Sequence, residues 1–574
     1  MMIIAPAREA PAPPPLERLD LVQTDPARPP VPDEPLLAMD NIQGNSIAGF
    51  NKDFQTLLLL KILDVPDFKR WLKSLVPFIA TAAEVLAFNR LFKAIRNRRG
   101  PSHTVEATWI NIAFSYHALT LLADDATDFT DEAFKQGLAA RSASLGDPTD
   151  PEAEGNPENW VIGGPGNEAD VILIVESDDQ DDLFAEVARI EHSLFPFRSA
   201  TGRIIRSGAV VVFKQQGATL PQPLTGHEHF GFLDGVSQPG LRGRISDNPT
   251  DVLTFRQNPN NREQGKPGQD LLWPGEFVFG YPGQDPNSDE ITEPGPIAEA
   301  GPAWAKDGSF LVFRRLRQDV QAFREFVNQA AFDLGLSPQF VGAKLVGRWA
   351  SGAPILRAPE ADNRLLADDD CANNNFEFGE ETEQILPEQK QSPIDCDDVI
   401  PSSEPPALFP PSEGDPDGQV CPFAAHIRKA YPRDDTSSTL PSTGEVSTQT
   451  HRIIRRGIPF GEPFRDFLAI PFLDFGERGL LFLAYQTSIV EQFEFILKNW
   501  VNNPDFKEPQ AGHDLIIGQN NTPGADRERN FTISFKRNGV VQREVISTRA
   551  DWVIPTGGGY FFAPSIAALE LLSS

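Results

Sequence analysis

The strongest constraint on this chain's fold is a repeated pairing of short apolar runs with amphipathic helices. "TLLLLKI" reads as a strand, and after Pro66 and Asp67 the residues Phe68, Trp71, Leu72 and Leu75 share one helical face. "ATWINIAFSY" is a second strand followed by "HALTLLADD". "DVILIVES" is a third, with Leu183, Val187 and Ile190 marking its helix, and "GAVVVFK" is a fourth. The grammar returns late: "GSFLVFRRL" leads to a helix capped by Asp319 with Val320, Phe323 and Val327 inward. "GLLFLAY" leads to one with Ile489, Phe493, Ile496 and Trp500 inward. Two αβ halves follow, at 39–245 and 301–574, joined by an irregular Pro/Asn/Gly-rich connection at 246–300. Periodicity alone leaves a doubly wound parallel sheet and an α+β double domain equally open.

Two segments break the pattern. Residues 1–38 hold ten prolines and read as an extended tail, and 360–420 carry seventeen acids against Arg364 and Lys390. That second segment is expected to be a solvated loop or lid inserted in the C-terminal half.

Charge narrows the partners. With 51 basic and 81 acidic residues, a net charge of -30 repels phosphate backbones and anionic lipid, so neither nucleic acid nor membrane is expected. Cys371, Cys396 and Cys421 show no CxxC spacing and leave at least one thiol unpaired, which points to a reducing compartment. The N-terminus lacks the features of a signal peptide, and no 18-residue apolar stretch occurs. A cytoplasmic protein is expected, with monomer and homo-oligomer equally open.

Three stretches carry candidate chemistry. In "CPFAAHIRKAYPR", His426 stands among apolar residues and cations, and the other seven histidines form no zinc-type cluster. One imidazole suffices for a haem iron, because the porphyrin supplies four nitrogens. The lead-in Phe423, Ala424 and Ala425 offers an apolar wall, and Arg428, Lys429 and Arg433 offer cations for propionates. A structural helix histidine beside a basic patch is the plain alternative. In "HFGFLDGVSQPG", Asp234 sits in apolar company, where a raised pKa suits a proton shuttle, although "LDG" is also an ordinary turn. In "HRIIRRGIPFG", Arg455 and Arg456 need an anion or a polarised ligand, which a structural salt bridge also satisfies.

Together, "GFLDG", "CPFAAHIRKAYPR" and "RRGIPFG", in this order, resemble the dye-decolorizing peroxidase family. "NIQGN", "PGEFVFGYP", "LVFRRLRQDV", "LVGRWASGAP" and "LLFLAYQ" extend the resemblance from about residue 41 to 565. The resemblance implies an α+β fold of two ferredoxin-like halves with antiparallel sheets and peripheral helices, with haem in the C-terminal half. It implies a peroxidase holding one haem b (iron protoporphyrin IX) per chain, reducing hydrogen peroxide and oxidising dyes and phenolics through a ferryl state. His426 matches the iron ligand, Asp234 the distal acid and Arg455 the distal arginine. Arg428 resembles a propionate contact, while Leu480, Phe482 and Phe232 fall where apolar residues cover the haem. Glu491 is a candidate partner for the second ring nitrogen of His426, although Ser488 and Glu491 also form a capping box. Trp273, Trp349, Trp500, Tyr431 and Tyr485 are candidate electron relays. A haem-handling protein that releases iron, or an encapsulated haem binder with little turnover, would use the same ligand.

Overall fold

The computed structural model describes residues 31, 33–99, 105–198, 204–256, 261–288, 290–379, 412–435, 445–464 and 476–574. The four-leucine run forms strand β1 (Phe54–Ile62), in which every leucine is fully buried. Leu58 and Leu60 pack with Phe68 and Leu72 of helix α1 (Val65–Leu75), while Leu57 and Leu59 face the second core on the other side of the sheet. An apolar run without alternation is what a strand covered on both faces requires. Each such side chain contributes about 1.5–3 kcal/mol by leaving water.

The remaining expected strands all form. They are β2 (Thr108–Phe114), β3 (Val171–Ser177), β4 (Ala209–Ala218) and β5 (Ser309–Gln318). Beyond them come β6 (Ile454–Arg455), β7 (Ile458–Phe460), β8 (Gly479–Gln486) and β9 (Val553–Ala563). The sheet order is β6-β8-β5-β9-β2-β3-β1-β4, with β7 also on β8, and every pairing is antiparallel. That excludes the doubly wound parallel alternative. Each half repeats one plan, with its first strand between its third and fourth and its second beside its third. This is the ferredoxin-like order, reached twice.

The halves meet twice. Phe562 of β9 pairs with Phe114 of β2, and β4 comes against β7, where a Cβ added to Gly217 would lie 2.6 Å from Ile458 Cγ2. The ends of the sheet therefore curl together into a barrel. Helix α2 (Gln180–Leu194) buries Leu183, Val187 and Ile190, and α3 (Val320–Leu334), capped by Asp319, buries Val320, Phe323 and Val327.

Two boundaries need correction. Val31, Glu34 and Leu37 are already buried, and the Glu34 carboxylate pairs with Arg256, so ordered packing begins before residue 39. Within 360–420, Leu366, Ala372, Phe376 and Phe378 join Trp349 and Ile355 in a core cluster, so its first twenty residues are not a solvated loop. Residues 380–411 of the expected lid lie outside the described residues.

Candidate active site

Strands and loops of both halves bring the candidate residues to one cavity of about 310 Å³, within the usual size of a small-molecule site. His426, Asp234, Arg455, Phe232, Leu480 and Phe482 all line it.

His426 begins the short helix α4 (His426–Ala430). Its Nδ1 lies 2.8 Å from Oδ2 of Asp514, a carboxylate with no solvent exposure. Burial alone pushes the imidazole down, but the charge and hydrogen bond of Asp514 outweigh it, so the His426 pKa is raised. This contact fixes Nδ1 as the donor and leaves Nε2 for a metal. Glu491 does not take that place. It is exposed, its N–H donates to Ser488 Oγ at 3.1 Å, and its carbonyl accepts from His451. Ser488 caps the helix, but the Ser488 N–H donates to Gln492 Oε1 at 2.8 Å, so only half of the expected capping box forms. Asp514 lies in "GHDLIIG", 88 residues beyond His426, and no local spacing marks it.

Asp234 rides on a loop whose tight turns place Gly231 and Gly235 at φ 98° and 75°, where a Cβ would be strained. Glu228 pins this loop: its carboxylate accepts from Phe230 N at 2.8 Å and Phe232 N at 2.9 Å, and from the Gln318 amide. Phe230 packs on Phe323 of α3 with ring centroids 4.4 Å apart. Arg455 sits on β6, where β8 pairing and a two-way contact between its backbone and the Gln238 amide hold it. Its guanidinium donates to Asp234 Oδ1 at 3.1 Å and to Ser237 O at 2.9 Å. Burial acts to raise the Asp234 pKa, yet Arg455 and the Gly235 N–H pull it below the usual range. The expected raised pKa is thus reversed, and the carboxylate is a ready base.

Arg428 is misplaced by the sequence reading. It is 1% exposed, does not line the cavity, and spends all five donors elsewhere: on Asp435, Asp415 and the carbonyls of Cys421 and Asp415. Phe423 covers its guanidinium at 4.5 Å rather than forming a cavity wall. Ala424, Ala425 and Lys429 also stand away from the cavity, with Lys429 donating to Asn503 O and Phe506 O.

The cation that suits a carboxylate ligand is Arg348, within "LVGRWASGAP". It lines the cavity, and its terminal nitrogens donate only to neutral oxygens: Gly352 O, Asn373 O and Asn374 Oδ1. Burial with no acidic partner pushes it down to about 9. Arg433, also lining the cavity, bonds Asn374 and the Phe376 carbonyl and stands 3.7 Å from Glu377. A buried, uncompensated guanidinium is costly unless an anion arrives. An apolar slot with one free imidazole nitrogen and such a cation fits haem and its propionates. Of the candidate relays, Tyr431 lines the cavity, its hydroxyl on Asp270 and its ring 3.3 Å from the Arg452 guanidinium. Trp273, Trp349, Trp500 and Tyr485 are buried.

An antiparallel α+β barrel whose cavity joins that imidazole to a carboxylate–guanidinium pair has the makings of a haem peroxidase. Comparison with known proteins agrees. The model of the DyP dimeric alpha+beta barrel domain matches residues 41–211. A dye-decolorizing peroxidase of Mycena epipterygia is 30% identical over 555 residues, covering 94% of this chain and 87% of that protein. The solved structure of an ancestral D-type dye decolorizing peroxidase is 32% identical with a TM-score of 0.68, covering 93% of this chain and 99% of that one. A dye-decolorizing peroxidase solved in complex with 2,6-dimethoxyphenol is 28% identical with a TM-score of 0.65, covering 94% and 100%. The chain belongs to the dye-decolorizing peroxidase family. It is a haem-dependent peroxidase.

Proposed function

We propose that the cavity takes one haem b per chain and that the enzyme reduces hydrogen peroxide with electrons from aromatic dyes and phenols. The observation that carries this is the His426–Asp514 contact, which commits Nδ1 and leaves Nε2 open to the cavity shared with Asp234 and Arg455. The relative solved with 2,6-dimethoxyphenol supports a phenolic reductant.

Haem, when bound, would supply the iron and the oxidising equivalents for the reaction. His426 Nε2 would hold it, and Arg348 and Arg433 would meet its carboxylates. Asp234, kept ionised by Arg455, takes a proton from the inner oxygen of peroxide and returns it to the outer one. The Arg455 guanidinium stabilises negative charge on the departing oxygen. Phe232, Leu480 and Phe482 keep bulk water away from that exchange.

The compartment is proposed differently from the sequence expectation. Cys371 is disulfide-bonded while Cys421 is a buried free thiol, which favours an oxidising compartment over the cytoplasm. No helix among the described residues is long and apolar enough to cross a membrane.

Protein supplied with haem should show a Soret band that His426→Ala loses. Asp234→Asn and Arg455→Leu should keep the band and lose dye turnover by about 10²-fold or more. An unchanged band in the first variant, or unchanged turnover in both others, refutes the reading.

A further inference from the structure

A second chamber, of about 300 Å³, lies on the other side of the distal pair. Asp234, Gly235, Glu228 and Arg455 line both this chamber and the haem cavity, so they form the partition between the two. The remaining walls are mixed: Asn45, Gln55, Lys52, Glu176 and Arg456 stand beside Gly457, Ile458 and Pro459. Asn51 and Gly226, both exposed, mark where it reaches the surface.

Two side chains in its wall are incompletely satisfied. Gln55 is 1% exposed, and its Oε1 is buried without a hydrogen-bond partner. Glu176, on β3, accepts at Oε1 from Asn45 at 3.2 Å and Gln55 at 2.9 Å, and no described residue bonds its Oε2. A buried acceptor in this state calls for a water or another donor. The chamber has room for several waters beside these polar groups.

The peroxidase reaction needs such a supply. Reducing one hydrogen peroxide to two waters takes two electrons and two protons. Asp234 returns the proton it borrows. A phenol oxidised in the cavity brings its own protons, but a donor that passes electrons from a distance leaves its protons in solvent, so both net protons must then reach the site from outside. Resting on the peroxidase reading above, we propose that the second chamber is the proton-supply route, with Glu176 the relay between bulk solvent and Asp234.

The charge environment suits a relay. Burial, the largest influence, raises Glu176 to about 7, against the hydrogen bonds of Gln55 and Asn45 and the pull of Arg456 and Lys52. Lys52 is itself bound to Asp178, and the adjacent Tyr485 phenol is pushed up and stays protonated. Across the chamber stand Asp234, Glu228, Arg455 and His227, of which Asp234 is held low and Glu228 is raised to about 7. At rest Asp234 is the weaker base of the two, so transfer from Glu176 runs uphill and proceeds only as the reaction consumes protons at the Asp234 side.

Glu176→Gln tests this, because its amide oxygen keeps the bonds from Asn45 and Gln55 but holds no transferable proton. Infrared spectra of the haem-free chain between pH 5 and 9 should show protonated-carboxyl absorption titrating near neutrality, to which Glu228 and Glu276 also contribute, and the wild-type-minus-variant difference should leave one carboxyl's band. In the haem-loaded enzyme, turnover at saturating peroxide and dye should fall about a hundredfold at neutral pH. Glu176→Asp, which keeps a carboxyl, should restore most of it, and the Soret band should be unchanged in both. No difference band overturns Glu176 as a proton carrier, and a band with unchanged turnover overturns the relay. A wild-type enzyme without a Soret band or dye turnover would instead refute the peroxidase reading, leaving the infrared result to decide on Glu176.

Discussion

Replacing Asp514 by asparagine probes the joint between fold and cofactor. The His426 Nδ1–H donates to Asp514 Oδ2 at 2.8 Å, while Oδ1 accepts from Ile516 N at 2.8 Å. An asparagine that keeps the Ile516 bond must turn its amide hydrogens towards His426. The imidazole then either buries an unpaired N–H or moves its proton to Nε2, the nitrogen needed for iron. A hydrogen bond to a buried charged group is worth about 1.5–3 kcal/mol. At about 1.4 kcal/mol per decade that is roughly 10- to 100-fold in haem affinity, the range typical of such outer partners. Titrating haem into the haem-free chain and following the Soret band measures it. An affinity within twofold of wild type would refute the assignment of Asp514 as the residue that orients the ligand.

Arg428→Leu should lower stability by about 3 kcal/mol, measured by denaturant unfolding of the haem-free chain, because it takes the guanidinium from two buried carboxylates and leaves Asp435 to Lys507 and Asp415 to backbone N–H groups. Arg348→Leu, which strands no carboxylate, should instead weaken haem binding in the Soret titration more than it lowers stability. Glu276 is buried with one acceptor bond, from Gln284 N, and burial raises its pKa from 4.5 to about 8. The folded chain therefore holds a proton that the unfolded chain releases above about pH 4.5, and stability falls as pH rises from there to about 8. Glu276→Gln removes this slope, so its advantage in unfolding free energy should be small at pH 4.5 and grow to a few kcal/mol by pH 8, read from denaturant unfolding across that range; equal slopes would refute it.

The fold was legible because its central strands, such as β1 and β3, are buried on both faces. "TLLLLKI" and "DVILIVES" have no other stable use than a covered sheet, and the helices beside them show clear periodicity. What periodicity lacks is direction: parallel and antiparallel strands bury the same leucines, so the ferredoxin-like order rested on resemblance until pairing such as Phe310↔Gln486 settled it. The acidic insertion misled for a related reason. Its composition is polar on average, yet Phe376 and Phe378 pack edge to face, 5.5 Å apart, and anchor it to the core.

At the site, Asp234, His426 and Arg455 were readable because each stands in a short motif whose neighbours narrow its chemistry. Arg428 and Asp514 mark the limit of that method. Arg428 lies two residues from the ligand, but one further step around a five-residue helix turns its side chain into a cage of Asp415 and Asp435, away from the cavity. Asp514 is remote in sequence and adjacent in space, so only the packed chain brings it to Nδ1. Arg348 shows what signal would have served: a buried cation with no acid in reach asks for a ligand, whereas Arg428, rich in acids, asks for none. Charge balance within the fold, more than nearness to a motif, separates the arginines that meet a cofactor from those that hold the protein together.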